Sequence, residues 1–343
     1  MNPSITVAVP ACNGARHLRV ALSSILRSET PHELLIVDDR SDDETLAIAR
    51  ELVGDRGRIE INSERLGLAN NWNQCVSLSQ TPLVAIFHQD DVMLPGHLAR
   101  HLQIHATNPS IGWVASNVEV IDDNGDRVPE SVVEPGMMAS SDREYPAGAA
   151  IEALAVTNPL RCSGVTIGAS AHAEVGGFDP TFRYVVDWDF WVRVAKVRPV
   201  FWLAKPTAAI RWHLASETHR FADGTVDLDE TAQLLSRMAD LVGPNNWDGR
   251  GRRLDAERRL ARAFLNRAYV ASKRGDTLLA QRALRQSFRL APAQLWENLL
   301  LDPRLLARMA LVLVAPKRVK RSNQTAVSLE GELPDRQESG DND

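Results

Sequence analysis

The amino-acid sequence predicts an α/β fold in which helices flank a mainly parallel sheet and a C-terminal α-helical appendage follows. In the first 125 residues, short apolar runs alternate with segments of helical apolar spacing. This alternation is typical of parallel sheets covered by helices. After about residue 225 only helical spacing continues. Because 343 residues exceed one average domain, we predict a first domain over residues 1–225, a helical region over 226–316, and a basic stretch with an acidic tail over 317–343.

The predicted strands are short segments that are continuously apolar or alternate apolar and polar residues, and each predicted helix repeats its apolar residues every three or four positions. The predicted strands are Ile5–Val9, Leu34–Val37, Ile59–Asn62, Leu83–Phe87 and Trp113–Ile121. The predicted helices are His17–Leu26, Asp42–Val53, Leu68–Ser79, Leu94–Asn108 and Asp187–Val197. Residues 126–160 are rich in Pro, Gly, Ser and Met and show no period, so an irregular, mobile loop is expected there.

The region after residue 225 contains a predicted pair of antiparallel helices, Leu260–Lys273 and Thr277–Leu290, joined by a Gly-Asp turn. The pair resembles one tetratricopeptide-type unit. A further apolar helix, Leu295–Val314, precedes the basic cluster Lys317–Arg321. This combination is compatible with peripheral contact between residues 295–321 and an anionic lipid surface, and equally with plain core packing. The remaining tail is polar, acidic and expected to be disordered.

Charge and cysteine content exclude several classes of protein. The net charge is -5, but the tail from Ser322 to Asp343, with six acids and one Arg, accounts for all of it. The rest is formally neutral, so no nucleic acid partner is predicted. The three cysteines are widely separated, without metal spacing or a disulfide framework, which fits a reducing compartment. No stretch approaches the about 20 apolar residues of a membrane span, and no signal-peptide pattern is visible. We expect a cytoplasmic protein that lies at the inner face of the cell membrane if residues 295–321 bind lipid.

The acidic pair Asp90-Asp91 directly follows the apolar run Leu83–Phe87. Ligand sites of α/β proteins lie at the carboxyl ends of such strands. Two adjacent carboxylates there can bind a hard divalent cation, and that cation can bind a diphosphate. The alternative is a solvated turn that happens to be acidic.

Four further motifs accompany this pair in a fixed order along the chain. They are the Pro10-Ala-Cys-Asn13 turn, the Asp38-Asp39 pair, the Gly176-Gly-Phe-Asp179 to Val186-Asp-Trp-Asp189 region, and Arg211-Trp-His213. The set resembles the family 2 glycosyltransferases, over roughly residues 4 to 220. That resemblance implies a GT-A type, Rossmann-like fold. It also implies inverting, metal-dependent transfer of a sugar from a nucleotide-diphosphate sugar to a glycan or lipid-linked saccharide acceptor, as in cell-surface polysaccharide biosynthesis.

The resemblance assigns a cation, Mg²⁺ or Mn²⁺, to Asp91 and His213, and gives Asp90 a role at the ribose or behind the metal ligands. This sequence departs from the family pattern at His88-Gln89, where another Asp often stands. A single carboxylate is sufficient because phosphate oxygens and water complete the coordination of either ion. His213 is alternatively a structural histidine, and His219 is a weaker candidate for its role.

Asp187 is predicted to be the general base that accepts the acceptor proton, because it matches the Asp of the family's Glu-Asp motif. Val186 stands where that motif has Glu. The alternative is that Asp187 caps the N-terminus of the helix that follows it. Trp188 is expected to pack in the core or to stack on a sugar ring.

The predicted donor-binding residues lie at or after the ends of the first three predicted strands. The resemblance assigns nucleotide contacts to Pro10, Ala11, Asn13, Asp38 and Asp39, with Asp39 the preferred one of its pair. It extends the donor site to Asn62 and to Gly67–Asn73, and Asn73 is included in the predicted site. The alternative for Asn70 and Asn73 is a capping or interhelical role.

Other functions remain to be weighed against this one. A sugar nucleotidyltransferase has a Gly-rich basic loop after the first strand, whereas Pro10–Gly14 contains one Gly and no Lys. Dinucleotide binding is excluded because no Gly-x-Gly-x-x-Gly follows that strand. A catalytically degenerate module that binds nucleotide sugars or acts as a scaffold stays open, because Gln89 and Val186 depart from the family pattern.

Overall fold

A computed structural model describes residues 4–129, 137–213, 220–221, 223–242 and 250–291. The chain divides into two compact units, Met1–Ala256 and Glu257–Asp343. The described residues form one sheet of nine strands. These are β1 (Ile5–Ala11), β2 (Glu33–Asp38), β3 (Arg58–Ile61), β4 (Leu83–Ile86), β5 (Val92–Met93), β6 (Trp113–Ile121), β7 (Arg143–Tyr145), β8 (Val165–Gly168) and β9 (Val200–Arg211).

The strand order is β3-β2-β1-β4-β8-β6-β9-β5, and β7 also pairs with β9. The pairs β1–β2, β1–β4, β2–β3 and β6–β9 are parallel. Antiparallel pairing of β8 with both β4 and β6 makes β6 and β9 run in the same direction as the first four strands. The sheet is therefore mainly parallel, as predicted, and the strands that oppose this direction are β5, β7 and β8.

The first seven helices of the first unit are α1 (Ala15–Leu26), α2 (Thr45–Val53), α3 (Leu68–Leu78), α4 (His97–Thr107), α5 (Ile151–Leu154), α6 (Ala169–Val175) and α7 (Val186–Val197). One apolar core joins α1 and α2 to the sheet through Leu18, Leu22 and Val53. The other core joins α3 and α7 to it through Trp72 and Trp191. Helices thus cover both faces of the sheet, and the central strand β1 is accordingly buried on both sides.

An eighth helix, α8 (Val226–Val242), packs on the first unit. Its residues Leu234 and Met238 are buried in the same core as α7. The predicted boundary at 225/226 therefore precedes a helix that completes the core of this unit. The amphipathic spacing of α8 predicts that it is part of the helical region. Its packing in the core shows that α8 belongs to the first unit.

The described part of the second unit is a helical hairpin made by α9 (Arg250–Lys273) and α10 (Thr277–Leu290). The hydroxyl of Ser287 donates to the carbonyl of Ala261 at 2.7 Å, so the two helices run antiparallel. Gly275 has a left-handed φ of 79° at the turn, and Asp276 caps α10 by accepting from the N–H of Leu279 at 3.0 Å. The predicted helix pair is confirmed, and the predicted helix Leu295–Val314 and the tail lie outside the described residues.

The predicted irregular loop over residues 126–160 is wrong for its second half. Strand β7 and helix α5 fall within it, and Tyr145, Ile151 and Leu154 are buried. Their apolar side chains are spaced without a regular period, which is why the sequence did not reveal them. In the described residues no helix is long and apolar enough to cross a membrane.

Candidate active site

Six strands share one direction and end at the same edge of the sheet. Segments at the ends of five of them, β1, β2, β3, β4 and β9, line a cavity of about 510 Å³. Six of the predicted site residues line it. They are Pro10, Asp39, Asp90, Asp91, Asp187 and Trp188. These residues come from separate segments of the chain, so the fold brings together what the sequence separates by up to 178 positions.

Asp91 lies at the back of the acidic loop and is only 2% exposed. Its Oδ2 accepts a hydrogen bond from the hydroxyl of Ser163 at 2.5 Å. Its Oδ1 accepts from the backbone N–H of Arg211 at 2.9 Å. Both oxygens are thus engaged by the protein, and the carboxylate ties the acidic loop to β9.

Asp90 faces the other way and keeps a quarter of its side chain exposed. Its Oδ2 lies 3.0 Å from Nε2 of His213. The neighbouring Arg211 guanidinium donates to the backbone carbonyls of Asp90 and Asp122, at 2.9 and 2.7 Å. The loops after β4, β6 and β9 are therefore held together by backbone and side-chain contacts, and Asp90 is the acid that remains accessible in the cavity.

The pKa values of the adjacent carboxylates Asp90 and Asp91 are shifted in opposite directions. Burial, together with the charge of Asp90, raises the pKa of Asp91 to about 7. Burial also acts to raise the pKa of Asp90, but the hydrogen bond with His213 and the nearby His88 outweigh it, and the pKa of Asp90 is lowered. The pair is an acid-rich site that a cation would stabilise.

His88, Asp90 and Asp91 form a cluster whose candidate ligand atoms all lie within 4.8 Å of one another. The ring of His88 stacks on Trp72 with centroids 5.4 Å apart. The residue that departs from the family pattern thus supplies a nitrogen where an oxygen is usual. The donor set still fits a divalent cation, because Mn²⁺ and related ions accept imidazole together with carboxylate.

Asp187 is the second residue of α7. Its Oδ1 accepts from the N–H of Trp188 at 2.7 Å, and its Oδ2 accepts from the side-chain amide of Asn158 at 3.1 Å. Helix α7 is preceded by Val185 at the N-cap position, so Asp187 is not the cap of this helix. Burial raises the pKa of Asp187, and a carboxylate with a raised pKa is a stronger base.

Glu230 of α8 fixes the loop in front of Asp187. Its carboxylate accepts from the backbone N–H groups of Arg183, Tyr184 and Val185, at 2.7 to 3.3 Å. These three donors precede the first turn of α7 and have no helical partner of their own. Glu230 is only 9% exposed. It thereby sets where α7 begins and where Asp187 lies.

Asp39 organises the opposite wall. Its carboxylate accepts from the N–H groups of Leu66 and Gly67, at 2.7 and 2.9 Å, and from the side-chain amide of Asn62 at 2.9 Å. Asn62 also donates to Asn71, at 2.9 Å. The loops after β2 and β3 and the start of α3 therefore form one hydrogen-bonded wall of the cavity.

Gln89 closes the gap between the acidic loop and the first loop. Its side-chain amide exchanges two hydrogen bonds of 3.0 Å with the backbone of Cys12. Gly14 leaves room for it, because a Cβ at that position would overlap Oε1 and Cδ of Gln89. The departure at Gln89 thus has a structural role in this chain.

Four predicted donor-site residues do not line the cavity. Ala11 is fully buried in the core, and Asp38 is buried with Oδ2 accepting from the N–H of Ser41 at 3.0 Å. Asn13 accepts from the N–H of Asp42 at 2.9 Å in an exposed loop contact. Asn73 binds both backbone groups of Phe178 at 2.8 Å, and its Oδ1 lies 2.9 Å from Nε2 of His172 on α6, which is the interhelical alternative.

The remaining predicted residues are His213, His219 and Trp188. His213 lies behind Asp90 rather than in the cavity lining, and His219 lies outside the described residues. Trp188 lines the cavity, with its indole N–H donating to the carbonyl of Leu154 at 2.8 Å. It therefore both packs and faces the cavity.

The structure adds residues that sequence reasoning missed. Ser163, Glu230, Asn158 and Arg161 contact or line the site. They lie in segments without a recognisable motif. The only available signal was a polar residue within an otherwise apolar stretch, as at Ser163.

Comparisons with known proteins agree with this geometry. The sequence profile of "Glycosyl transferase family 2" matches residues 6–153. An uncharacterized protein of Mycobacterium tuberculosis, MT1568, is 28% identical over 251 residues, which are 71% of this chain and 78% of that protein. The succinoglycan biosynthesis protein ExoU of Rhizobium meliloti is 28% identical over 122 residues, which are 34% of each chain.

Two solved structures share the fold. TarS 1-349 of S. aureus, solved in complex with UDP, has a TM-score of 0.57 at 18% identity and matches 98% of this chain and 95% of that one. The mannosyltransferase PcManGT of Pyrobaculum calidifontis, solved with GDP-Man and Mn²⁺, has a TM-score of 0.56 at 18% identity, covering 95% and 85% of the two chains. These matches confirm the predicted α/β fold of GT-A type.

Proposed function

From the premise that this chain is a family 2 glycosyltransferase, we propose that it is an inverting, metal-dependent enzyme. It would transfer a sugar from a nucleotide-diphosphate sugar to a glycan or lipid-linked saccharide. The observation that carries this proposal is that Asp39, Asp90 and Asp187 line one cavity. We assign Asp39 to the nucleotide, Asp90 to the cation of the diphosphate and Asp187 to the acceptor hydroxyl.

The proposed cation site is the cluster of His88, Asp90 and Asp91. Asp90 is the accessible ligand, whereas both oxygens of Asp91 are engaged by Ser163 and Arg211. We therefore move the first ligand from Asp91, the sequence-based choice, to Asp90, with His213 orienting it. When bound, the cation would neutralise charge on the diphosphate leaving group. The ion most compatible with an imidazole in the cluster is Mn²⁺.

The nucleotide is proposed to lie along the wall built by Asp39. The carboxylate of Asp39 fixes the backbone at Leu66 and Gly67, and Pro10, Gly67 and Asn71 line the adjacent part of the cavity. Arg161 lines the cavity too, close enough to Asp187 for its charge to act on that carboxylate, and we assign its guanidinium to a phosphate.

Asp187 is proposed to accept the proton of the acceptor hydroxyl. Its two hydrogen bonds with Trp188 and Asn158 fix the carboxylate at the start of α7. An oxygen deprotonated there would attack the anomeric carbon from the side opposite the diphosphate, and this single displacement inverts the configuration. Trp188 beside the base offers an aromatic surface for a sugar ring.

The acceptor is proposed to be a growing cell-surface polysaccharide or its lipid-linked precursor. This proposal rests on the relative ExoU, which acts in succinoglycan biosynthesis by its name. A neutral glycan acceptor fits the mixed lining of the cavity, which combines carboxylates with Trp72 and Trp188. Peripheral membrane contact through residues 295–321 would bring such an acceptor close, and it remains a prediction outside the described residues.

A thermal-shift panel tests the proposal. UDP-, GDP-, dTDP- and CMP-sugars are each added with and without Mn²⁺ to the wild type, to Asp90→Asn and to the exposed control Asp55→Asn. We expect one nucleotide class to raise the melting temperature only with Mn²⁺, in the wild type and in the control but not in Asp90→Asn. A wild type that responds to no donor would favour the degenerate scaffold instead.

A further inference from the structure

A second cluster of metal-type ligands lies beside the cavity. His17 on α1, Asp123 after β6 and His213 after β9 each offer one ligand atom, and these three atoms all lie within 4.8 Å of one another. His17 Nε2 and Asp123 Oδ1 are 3.0 Å apart. The rings of His17 and His213 are tilted by 52° with centroids 5.3 Å apart. Three separate segments thus direct one ligand atom each to a common point.

These atoms are buried, and the other described residues leave them unsatisfied. His17 Nε2, Asp123 Oδ1 and His213 Nδ1 each make no hydrogen bond within the described part of the chain. The close approach of His17 to Asp123 lacks hydrogen-bond alignment. Buried polar atoms without partners are costly and usually have a reason. Three of them in one cluster of residues indicate a shared ligand.

The chemistry of the set points to a transition metal. Two imidazoles and one carboxylate are a ligand set of zinc sites with an open fourth position. Ligand atoms about 2.1 Å from one ion are at most about 4.2 Å apart, so side-chain adjustments below about 1 Å would close this cluster.

The outer contacts are those of a supported metal site. Nε2 of His213 lies 3.0 Å from Asp90 Oδ2, which leaves Nδ1 on the other side of the ring for an ion. Arg16 donates to Oδ2 of Asp123, which leaves Oδ1 free to coordinate. A histidine whose second nitrogen donates to a carboxylate is the usual arrangement around bound zinc.

We propose that His17, Asp123 and His213 bind a divalent transition metal of the Zn²⁺ class, distinct from the cation of the donor diphosphate. Bound there, the ion would join α1 to the ends of β6 and β9. It would also fix the proton of His213 on Nε2, so that the ring donates to Asp90. The site would thereby position Asp90 without contacting the donor, and no member of it except His213 belongs to the predicted catalytic set.

Cobalt titration of the metal-free protein, without nucleotide, tests this site. Co²⁺ bound by histidine and carboxylate gives visible absorption bands that report coordination directly. The variants are His17→Gln and Asp123→Asn. His32→Gln, at a histidine outside both clusters, is the matched control, and His88→Gln removes a ligand of the donor-cation cluster instead. Thermal melting verifies that each variant is folded.

We expect one equivalent of Co²⁺ with absorption bands, displaced by Zn²⁺ but not by Mg²⁺. The affinity for Co²⁺ should fall at least 100-fold in His17→Gln and in Asp123→Asn. It should be unchanged in His32→Gln and in His88→Gln. Unchanged cobalt bands in both folded ligand variants, or no binding by the wild type at micromolar Co²⁺, would overturn the proposal. Because no donor is present, failure here leaves the proposed glycosyl transfer untouched, and failure of donor binding leaves this site untouched.

Discussion

Nε2 of His213, just beyond the last strand of the sheet, lies 3.0 Å from Oδ2 of Asp90, in the loop after β4. The two residues are 123 positions apart in the sequence. The contact lowers the pKa of Asp90 against the effect of its burial, so Asp90 stays ionised and oriented. Asp90, the more exposed carboxylate of the adjacent pair, therefore has the charge that the proposed cation site requires.

Replacement of Asp90 by Asn tests the cation site. The change removes the negative charge but keeps the shape, so we expect Mn²⁺-dependent donor binding to weaken at least about 100-fold. Isothermal titration with the donor found in the thermal-shift panel measures this. Asp55→Asn applies the same chemical change at an exposed position and should bind donor like the wild type. Equal donor affinity in Asp90→Asn and wild type would exclude Asp90 as a ligand.

Replacement of Asp187 by Asn separates the base from a purely structural role. Asn accepts hydrogen bonds at a helix start about as well as Asp, so the fold should persist. The loss of a general base should lower kcat by roughly 10²- to 10⁴-fold, with donor affinity unchanged. Because burial raises the pKa of Asp187, wild-type kcat should fall on the acid side as this carboxylate becomes protonated. A variant that retains wild-type kcat would assign Asp187 to structure alone.

The fit of Gly14 against Gln89 predicts a strong coupling between two loops. Gly14→Ala should cost about 1–3 kcal/mol of unfolding free energy, because the added Cβ overlaps the Gln89 side chain. In a Gln89→Ala background the same change should cost less than about 0.5 kcal/mol, since the overlapping atoms are gone. Urea unfolding of the four proteins measures the cycle. Additive effects would show that the two positions are not in contact.

Glu230→Gln tests whether α8 positions the base. The carboxylate accepts from three backbone N–H groups, and weaker neutral acceptance should cost about 1.5–3 kcal/mol of unfolding free energy. Displacement of α7 should lower kcat while the KM for the donor stays constant. Glu29→Gln, at an exposed position, is the control. A loss of stability with unchanged kcat would limit Glu230 to a structural role.

The buried histidines of α4 predict that acid lowers the free energy of unfolding. Burial lowers the pKa of His97 and of His105 to about 4, and both contact threonine hydroxyls, of Thr207 and Thr166. In the unfolded chain these two histidines bind protons from about pH 6.5 downwards. In the folded chain they do not bind them until about pH 4. Stability is therefore full above pH 6.5 and is lost as the pH falls towards 4.

The expected loss is up to about 1.4 kcal/mol per pH unit for each of these histidines. Urea unfolding at pH 7.5, 6.0 and 5.0 measures the slope, and His105→Gln should reduce it, whereas His32→Gln should not. An unfolding free energy that stays constant between pH 7.5 and 5.0 would contradict the buried neutral state.

The sequence predicted the parallel half of the sheet because each strand there is a continuous apolar run followed by a polar turn. Carboxyl ends of parallel strands share one edge, so Asp39 and Asp90 were expected near each other, and both line the cavity. Asp187, which also lines it, begins a helix and was proposed from the resemblance alone. The sequence did not predict β7 and α5, whose buried residues have no period. Such short elements form because the existing core offers them a surface.

Side-chain direction was the other limit of prediction. Asp90 and Asp91 are adjacent, so composition and spacing could not tell which one faces the cavity. The contacts of Asp91 with Ser163 and Arg211 decide it, and both partners are more than 70 positions away. Asn73 shows the same limit, because its partner Phe178 is 105 positions away.

The most direct test of glycosyl transfer is the release of nucleoside diphosphate from the selected sugar nucleotide, followed by mass spectrometry with Mn²⁺ and a lipid-linked saccharide extract. The wild type should release the nucleoside diphosphate and produce an acceptor that is heavier by one sugar. Asp90→Asn and Asp187→Asn should do neither, and Asp55→Asn should match the wild type. Donor binding by the wild type without any diphosphate release, or release that persists in both site variants, would contradict the assignment of this cavity as the site of transfer.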